Sequence, residues 1–356
     1  MKKVLAINSG SSSFKFKLFS LPDEKVVAFG MADRVGLPGA SFKIALQDGN
    51  EHIEHVEVPD QEAAVSLLLK ALKKYHVVED LNEIVGVGHR VVSGGEIFKD
   101  STVVDQEVLQ KIKDLSNFAP LHNPAEARGI EAFMHVLPKV PQVAVFDTSF
   151  HQTLDPVHYL YSIPYDYYKE YGARKYGAHG TSVHYVTLEA AKMMKKDLKD
   201  LKLITCHLGS GSSITAVKNG KSYDTSMGFS PLSGITMGTR SGDIDPSLLQ
   251  HLMHETGISM DEMINILNKK SGLLGISGIS SDMRDLKYNK NPRAVLARKI
   301  FLNRIVRYIG AYIAEMGGVD GIVLTAGVGE GDVGMRQAIM DAFKYMGVNP
   351  DYEANK

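Results

Sequence analysis

Near its start the chain places a turn made only of small polar residues between two strand patterns. Residues 4–7 form an apolar run, residues 8–13 read Asn-Ser-Gly-Ser-Ser-Ser, and residues 14–19 alternate between apolar and polar side chains. Alternation with a period of two predicts a half-buried strand, so the segment reads as strand, turn and strand. Such a turn exposes backbone N–H groups and hydroxyls with little side-chain bulk, which suits a phosphate group. An ordinary hairpin turn is the alternative from this segment alone.

The same plan occurs again in the second half of the chain. An apolar run over residues 203–208 enters Gly-Ser-Gly-Ser-Ser at 209–213, and residues 214–217 leave it as another strand pattern. A third apolar run, residues 321–324, leads into a glycine-rich stretch at 325–331. Three small-residue loops at the ends of strands predict a duplicated scaffold whose loops close on one polyphosphate.

The common nucleotide-binding motifs do not fit these loops. A dinucleotide fingerprint requires Gly-x-Gly-x-x-Gly, but the position that would complete it after Gly327 and Gly329 is Asp332. A Walker A loop that ended at Lys221 would need a glycine where Thr215 stands. Neither the Rossmann fold nor the P-loop fold is therefore expected.

Composition and charge exclude several classes of function. The 356 residues carry a formal net charge of −1, so neither a nucleic-acid surface nor a basic membrane-binding face is indicated. The apolar run before Asn8 is too short for a signal sequence, and no run reaches the length of a membrane span. The single cysteine, Cys206, excludes an internal disulfide and favours the reducing cytoplasm. The length allows two cores, and we expect domains at residues 1–148 and 149–356.

Four side chains suited to phosphoryl chemistry follow strand patterns or lie in glycine-rich loops: Arg90, Asp147, His179 and Arg240. A planar guanidinium can clamp a phosphate, and a carboxylate after a buried strand lies at the sheet edge where α/β enzymes keep their sites. Taken singly, each has an ordinary alternative, such as a surface ion pair, a turn cap or a structural histidine. Together with the three loops they predict phosphoryl transfer, which requires charge neutralisation and in-line placement.

As a series of ordered motifs, the sequence resembles the acetokinase family of the acetate and sugar kinase/heat-shock-cognate/actin superfamily. The resemblance runs over nearly the whole chain and is carried by residues 8–15, 88–95, 119–124, 145–152, 179–182, 237–243 and 281–284. It implies an α/β fold of two duplicated actin-like (ribonuclease H-like) domains, with the active site in the cleft between them. The implied reaction is reversible transfer of the γ-phosphoryl group of ATP to acetate, giving acetyl phosphate and ADP, with Mg²⁺ or Mn²⁺.

The resemblance also implies roles for individual residues. Asn8 and Asp147 would serve the metal and phosphoryl end, Arg90 and Arg240 would bind acetate or the phosphoryl group, and His179 would stabilise its charge. The acetate methyl group would meet Val92, Leu121 and Pro231. ATP would be held by two phosphate loops and an adenosine site, comprising Ser11, Ser13, Lys15, His207, Leu208, Gly209, Ser210, Gly211, Asp282, Met283, Arg284, Gly327, Val328 and Gly329. A cytoplasmic homodimer is expected, with its interface in the second domain and no nucleic-acid or membrane partner.

Several positions depart from the family pattern. Ser210, Val183, Ser233 and Gly331 stand where the family usually has Asn, His, Glu and Asn. The sequence ends at Lys356, whereas family members continue to a metal-binding glutamate and a last helix that packs on the first domain. Two alternatives therefore stay open. One is a propionate-preferring kinase, since one methylene changes binding by only about 1–3 kcal/mol, and the other is a nucleotide-binding relative with impaired catalysis. We expect the chain as given to bind ATP but to turn over slowly.

Overall fold

The structure, a computed structural model, describes residues 1–120 and 122–356. These residues divide into two compact units, an N-terminal unit, Met1–Ser149, and a C-terminal unit, Phe150–Lys356. Each unit contains its own sheet and its own hydrophobic core, and both mix helices with strands. The α/β class expected from the sequence is confirmed.

In the N-terminal unit, helices pack against one mixed sheet. Its described residues form the strands β1 (Lys3–Ser9), β2 (Ser13–Ser20), β3 (Lys25–Asp33), β4 (Ser41–Leu46), β5 (Glu51–His55), β6 (Ile84–Val91), β7 (Thr102–Val103) and β8 (Gln142–Phe146). They lie in the order β5-β4-β3-β2-β1-β6-β8-β7, with β1, β6 and β8 parallel to one another and the other neighbours antiparallel. The helices are α1 (Gln61–Lys74), α2 (Gln106–Asp114) and α3 (Asn123–Val136).

The alternating pattern at the start of the chain forms β2 as predicted. Phe14, Phe16 and Leu18 are buried, whereas Lys15 and Lys17 are exposed. The buried side chains join those of β1 and the apolar face of α1 in one core. This burial fixes the register of β2 against β1, because a slip of one residue would move every apolar side chain of the strand to the solvent face.

The C-terminal unit has a smaller sheet and more helices. Its strands are β9 (Lys202–Leu208), β10 (Ser212–Lys218), β11 (Lys221–Thr225) and β12 (Gly321–Thr325), in the order β11-β10-β9-β12. Its helices are α4 (Pro156–Tyr159), α5 (Tyr165–Tyr171), α6 (Gly180–Met194), α7 (Pro246–Thr256), α8 (Met260–Lys269), α9 (Gly272–Ser277), α10 (Met283–Lys287), α11 (Pro292–Met316), α12 (Ala326–Gly331) and α13 (Val333–Asp341). The long helix α11 packs Phe301, Ile305 and Ile309 onto β9 and β10 at helical spacing.

The two units repeat one strand plan. In the N-terminal unit the strands β3-β2-β1 are antiparallel and β6 adds in parallel beside β1. In the C-terminal unit β11-β10-β9 are antiparallel and β12 adds in parallel beside β9. The polar turns at residues 10–12 and 209–211 connect equivalent pairs of strands. This repeated plan is the duplicated scaffold that the sequence predicts.

Two sequence expectations bear on the C-terminal sheet. Cys206 is fully buried in β9, where burial raises the pKa of its thiol, so it packs as an apolar side chain. The glycine-rich stretch at residues 325–331, which was predicted to be a third loop, instead forms the short helix α12 directly after β12. Ala326, its first residue, lies in the left-handed region at φ 63°. Among the helices of the described residues, none is both long enough and apolar enough to cross a bilayer.

Gly30 provides a test of how tightly β3 packs between β2 and β4. A Cβ at this position would lie 2.0 Å from the Lys43 carbonyl oxygen and 2.9 Å from Phe16 Cζ. Gly30→Ala should therefore lower the free energy of unfolding by about 1–3 kcal/mol or more. Gly86→Ala in β6 is the matched control, because its Cβ would meet only Val4 Cγ2 at 3.9 Å. Urea unfolding of both variants checks this, and equal midpoints would contradict it.

Candidate active site

The first polar turn is a tight hairpin between β1 and β2. The Gly10 amide donates to the Ser13 carbonyl at 2.7 Å, and Gln61 Nε2 donates to the Gly10 carbonyl at 2.8 Å from the first turn of α1. Ser11 and Lys15 are exposed and Ser13 is half-buried. The turn is therefore fixed through its backbone, while the side chains predicted to contact phosphate remain on the accessible side.

Asn8, Arg90 and Asp147 come together at one edge of the N-terminal sheet. Arg90 donates to Asp147 Oδ2 from Nε at 2.9 Å and from Nη2 at 2.6 Å, and its Nη1 lies 3.4 Å from Asn8 Oδ1. The three residues lie at the carboxyl ends of the parallel strands β1, β6 and β8. Since parallel strands end at a common edge, this placement follows from strand order alone.

The Arg90 side chain keeps 34% of its surface exposed, whereas that of Asp147 keeps 3%. Burial opposes the charge on Arg90, but the neighbouring Asp147 carboxylate outweighs it, and the pKa of Arg90 is raised. The guanidinium therefore stays cationic, and part of it faces outward from a buried anchor. Such a group can bind an anion while its position is fixed by the ion pair.

Glu126, on α3, is a buried acid beside this cluster that the sequence reasoning missed. Its Oε2 accepts from the Val92 amide at 2.9 Å, and the residue is 2% exposed. Burial raises the pKa of its carboxyl to about 8, although the Val92 amide and the charge of Arg90 both act to lower it. One turn earlier, Asn123 Oδ1 accepts from the Ser93 amide at 3.0 Å. The start of α3 thus fixes the backbone that carries Val92.

A sequence signal for Glu126 does exist. It falls on the same helical face as Ile130 and Phe133, which are fully buried, so helical spacing alone places it toward the core. Leu121, which was predicted to line the methyl pocket with Val92, lies outside the described residues.

The second polar turn connects β9 to β10 and meets two of the predicted side chains. A Cβ at Gly211 would lie 3.5 Å from both Arg240 Nη1 and His179 Nε2. Because Gly211 has no side chain, the space between these two nitrogens is not filled by a Cβ; we call this space the Gly211 cradle. Leu208 is fully buried in the core, so only its backbone is available to a ligand. Ser212 Oγ donates to the Gly209 carbonyl at 2.9 Å and closes the turn.

His179 sits immediately before α6 in a left-handed conformation at φ 62°. Its ring stacks on that of His207 with 4.1 Å between centroids, and its Nδ1 lies 2.9 Å from Ser213 Oγ. His207 Nδ1 in turn lies 3.0 Å from Ser182 Oγ. These contacts orient the His179 ring so that Nε2 lies at the Gly211 cradle.

Arg240 lies in an irregular segment, residues 226–245, between β11 and α7. Its Nη1 donates to the Pro231 carbonyl at 3.3 Å, which places two of the predicted residues side by side. Thr239 Oγ1 donates to the Asn268 carbonyl at 2.8 Å. A Cβ at Gly272 would lie 2.2 Å from the Met237 carbonyl oxygen and 2.7 Å from that of Arg240. The start of α9 therefore packs directly against the backbone of this segment.

A cavity of about 600 Å³ lies beside the second turn. Its lining includes seven of the residues predicted to hold ATP, namely Gly209, Ser210, Asp282, Met283, Arg284, Gly327 and Val328. The size and the mixture of apolar and polar side chains are typical of a small-molecule site. Gly329, which was also predicted to hold ATP, is buried and packs on the backbone of Leu324.

Two details of this cavity bear on ligand binding. Asp282 caps α10 by accepting from the Arg284 amide at 2.8 Å, and Arg284 Nη2 lies 2.5 Å from the same carboxylate. The hydrogen bonds from Arg284 hold the pKa of Asp282 below its usual value. The carboxylate therefore stays ionised. Gly331, one of the departures from the family pattern, also lines the cavity.

The donor set of the N-terminal cluster fits a magnesium ion. Asn8 and Asp147 offer amide and carboxylate oxygens, and Mg²⁺ is commonly held by one or two carboxylates together with substrate phosphates. Among the described residues, a compact group of possible metal ligands occurs elsewhere, at His158, Asp224 and Glu315. There Lys175 Nζ donates to Asp224 Oδ1 at 2.5 Å, as Arg90 does to Asp147, so both carboxylates already have a cationic partner from the protein.

Comparison with known proteins gives a consistent result. The model of the acetokinase family matches residues 3–356. An acetate kinase of Limosilactobacillus fermentum is 55% identical over 358 aligned residues, which cover 100% of this chain and 90% of the relative. The crystal structure of Porphyromonas gingivalis acetate kinase superposes with a TM-score of 0.94 at 42% identity, covering 100% of this chain and 90% of that one. A propionate kinase from Francisella tularensis has the same TM-score, 0.94, at 38% identity, with 100% and 91% covered.

The buried Glu126 carboxyl should make stability depend on pH. Its pKa is about 8 in the folded chain and ordinarily 4.5, so the folded state binds this proton more tightly. The contribution of this proton to the free energy of unfolding is therefore complete below pH 4.5. It declines as the pH rises toward 8, with a slope of at most about 1.4 kcal/mol per pH unit.

Glu126→Gln keeps an oxygen for the Val92 amide and removes the titration. The free energy of unfolding of the variant relative to the wild type should therefore increase between pH 5 and pH 8. Urea unfolding at several pH values measures it. Parallel stability curves for the two proteins would refute the role given to burial.

Proposed function

The chain belongs to the acetokinase family, and from this premise we propose that it catalyses reversible transfer of the γ-phosphoryl group of ATP to acetate. The products are acetyl phosphate and ADP. The observation that carries the proposal is the cluster of Asn8, Arg90 and Asp147 at one sheet edge, in a chain that matches the family over residues 3–356. The cavity beside the second turn supports ATP as the donor.

The proposed reaction is a direct in-line displacement. A carboxylate oxygen of acetate forms a bond to the γ-phosphorus while the bond to the oxygen bridging the β- and γ-phosphorus breaks, and ADP leaves with that electron pair. Negative charge is spread over the equatorial oxygens of the moving group. Arg90 and Arg240 offset this charge with their guanidinium groups, and His179 Nε2 donates to the same oxygens. No proton has to move, because acetate is already ionised at neutral pH.

Asn8 and Asp147 are proposed to hold Mg²⁺, or Mn²⁺, together with phosphate oxygens. When bound, the metal ion withdraws charge from the phosphates and helps to align them. Arg90 fixes the orientation of the Asp147 carboxylate through its two hydrogen bonds to Oδ2. The phosphates themselves are assigned to Ser11, Ser13 and Lys15 of the first turn and to residues 207–211 of the second.

Val92 and Pro231 are proposed to contact the methyl group of acetate. Within the N-terminal unit Glu126 accepts from the Val92 amide, and within the C-terminal unit the Pro231 carbonyl accepts from Arg240, so the backbone of each residue is fixed. Acetate is preferred to propionate in this proposal because the acetate kinase of L. fermentum is 55% identical to the chain and the propionate kinase of F. tularensis is 38% identical. The same similarity favours an active kinase over an impaired nucleotide-binding relative.

We also propose that the enzyme is a cytoplasmic homodimer that associates through its C-terminal unit. The single, buried cysteine is compatible with a reducing compartment. Exposed aromatic side chains on and near α5 support a surface for association, and they include Tyr161, Tyr165, Tyr167 and Tyr171.

The direct test is product formation from purified protein. ATP, Mg²⁺ and acetate are incubated with hydroxylamine, which converts an acyl phosphate into a hydroxamate that forms a coloured complex with ferric ion, and propionate is assayed in parallel. Hydroxamate formation that depends on ATP, Mg²⁺ and acetate, with a higher kcat/KM for acetate than for propionate, is expected. ATP hydrolysis without hydroxamate, or no turnover, would refute the proposal.

Arg240→Ala should leave the fold intact and reduce kcat by roughly 10³-fold, as expected for an arginine that neutralises transition-state charge. Arg34→Ala is the matched control, because among the described residues Arg34 Nε donates to the Pro38 carbonyl of its own turn, at 2.8 Å. Arg90→Ala is a less clean test, since it would leave the buried Asp147 carboxylate without its ion-pair partner. A kcat within tenfold of the wild type for Arg240→Ala would refute the assignment.

Asp147→Asn should raise the Mg²⁺ concentration needed for half-maximal activity more than it raises the KM for ATP. The amide has the shape of the carboxylate but lacks the charge that attracts the metal ion. Steady-state kinetics across Mg²⁺ and ATP titrations measure both quantities. An unchanged Mg²⁺ requirement would place the metal ion elsewhere.

A further inference from the structure

We propose that Asp243 and Tyr308 are positioning residues for Arg240. Their contact ties the irregular segment that carries both Arg240 and Pro231 to the long helix α11. The inference rests on the proposed function in assigning Arg240 to the phosphoryl group and Pro231 to the acetate pocket. The contact itself joins residues 65 positions apart in sequence.

Asp243 closes the segment around Arg240. Its Oδ1 accepts from the Gly234 amide at 2.7 Å, and its own amide donates to the Gly234 carbonyl at 2.8 Å. Residues 226–245 contain neither helix nor strand, so their backbone groups cannot be satisfied by a regular ladder. The paired hydrogen bonds hold together the two ends of a loop, residues 234–243, that contains Arg240.

Tyr308 connects this closed loop to the core of the C-terminal unit. Its hydroxyl donates to Asp243 Oδ2, the oxygen that does not bind Gly234. Tyr308 is half-buried on α11, whose neighbouring side chains Ile305 and Ile309 are fully buried. Burial and the Asp243 carboxylate raise the pKa of the Tyr308 hydroxyl, so it remains a donor at working pH. The loop is thereby anchored to a helix that packs on the sheet.

The anchor acts on the reacting groups through short contacts. Arg240 Nη1 donates to the Pro231 carbonyl at 3.3 Å, so a shift of the loop would move the guanidinium of Arg240 and the backbone of Pro231 together. The opposite side of the loop is fixed independently, because the Ser271 amide donates to the Thr239 carbonyl at 2.9 Å. Loss of the tyrosine hydroxyl should therefore loosen the loop at one side without unfolding it.

Tyr308→Phe removes this one hydrogen bond and keeps the ring. We expect the KM for acetate to rise and kcat/KM for acetate to fall by about 10-fold or more, since a misplacement of about 1 Å can cost up to about 10²-fold. The KM for ATP should stay within twofold of the wild type, because the cavity beside the second turn is lined by other segments.

Tyr312→Phe is the matched control. It makes the same change one turn further along α11, and the Tyr312 hydroxyl is buried without a hydrogen-bond partner among the described residues. Its kcat and both KM values should equal those of the wild type. Any loss of folded enzyme in either variant would scale kcat but leave KM unchanged, so the acetate KM distinguishes positioning from instability.

Asp243→Asn, alone and combined with Tyr308→Phe, completes a double-mutant cycle. If both residues act through one contact, the double variant should lose no more activity than the more impaired of the two single variants, whereas additive losses would overturn the inference. A Tyr308→Phe enzyme with the kinetics of Tyr312→Phe would also overturn it. Absence of hydroxamate from the wild-type protein would instead refute the proposed function, so the two failures are distinguishable.

Discussion

The parallel pairing of strands within each sheet determines where chemistry can occur in this protein. In the N-terminal unit β1, β6 and β8 run parallel, and in the C-terminal unit β9 and β12 do so. Parallel neighbours end at the same edge of the sheet, so residues at their carboxyl ends lie close together whatever the conformation of the connecting loops. Asn8, Arg90 and Asp147 reach one another in this way, although 57 positions separate Arg90 from Asp147 and 82 separate it from Asn8.

Removing these polar groups from water raises the free energy of the folded state, and hydrogen bonds within the cluster offset this desolvation. A buried ion pair is stable only if its remaining polar atoms also find partners. Asp147 receives two hydrogen bonds from Arg90, Glu126 receives the Val92 amide, and Asn123 receives that of Ser93. Burial also shifts Glu126 toward its neutral form, which avoids a second buried negative charge beside Asp147. The same network that satisfies the buried groups fixes the backbone of Val92.

In the C-terminal unit, close approach of backbones takes the place of a buried charge pair. Gly211 leaves room for His179 and Arg240 to lie within 3.5 Å of the position that a Cβ would occupy. Gly272 allows the first turn of α9 to touch the Arg240 backbone, where a side chain would collide with two carbonyl oxygens. Hydrogen bonds from Asp243 then close the loop. The glycines let neighbouring backbone approach this irregular loop closely, and the close contacts fix the position of Arg240.

The sequence by itself determined the fold class, the duplicated scaffold and the placement of Gly/Ser turns between strands, because these depend on local periodicity and on residue size. It also placed Arg90 and Asp147 at the ends of apolar strands. Only the tertiary structure decided that Glu126 faces the Arg90 cluster, that residues 326–331 form a helix, and that Tyr308 donates to Asp243. The helix is closed locally, by Glu330 Oε1 accepting from the Ala326 amide, but a glycine-rich stretch is a poor sequence signal for a helix. The contacts of Glu126 and Tyr308 depend on partners far away in the chain, and local patterns carry no information on which distant groups share a buried space.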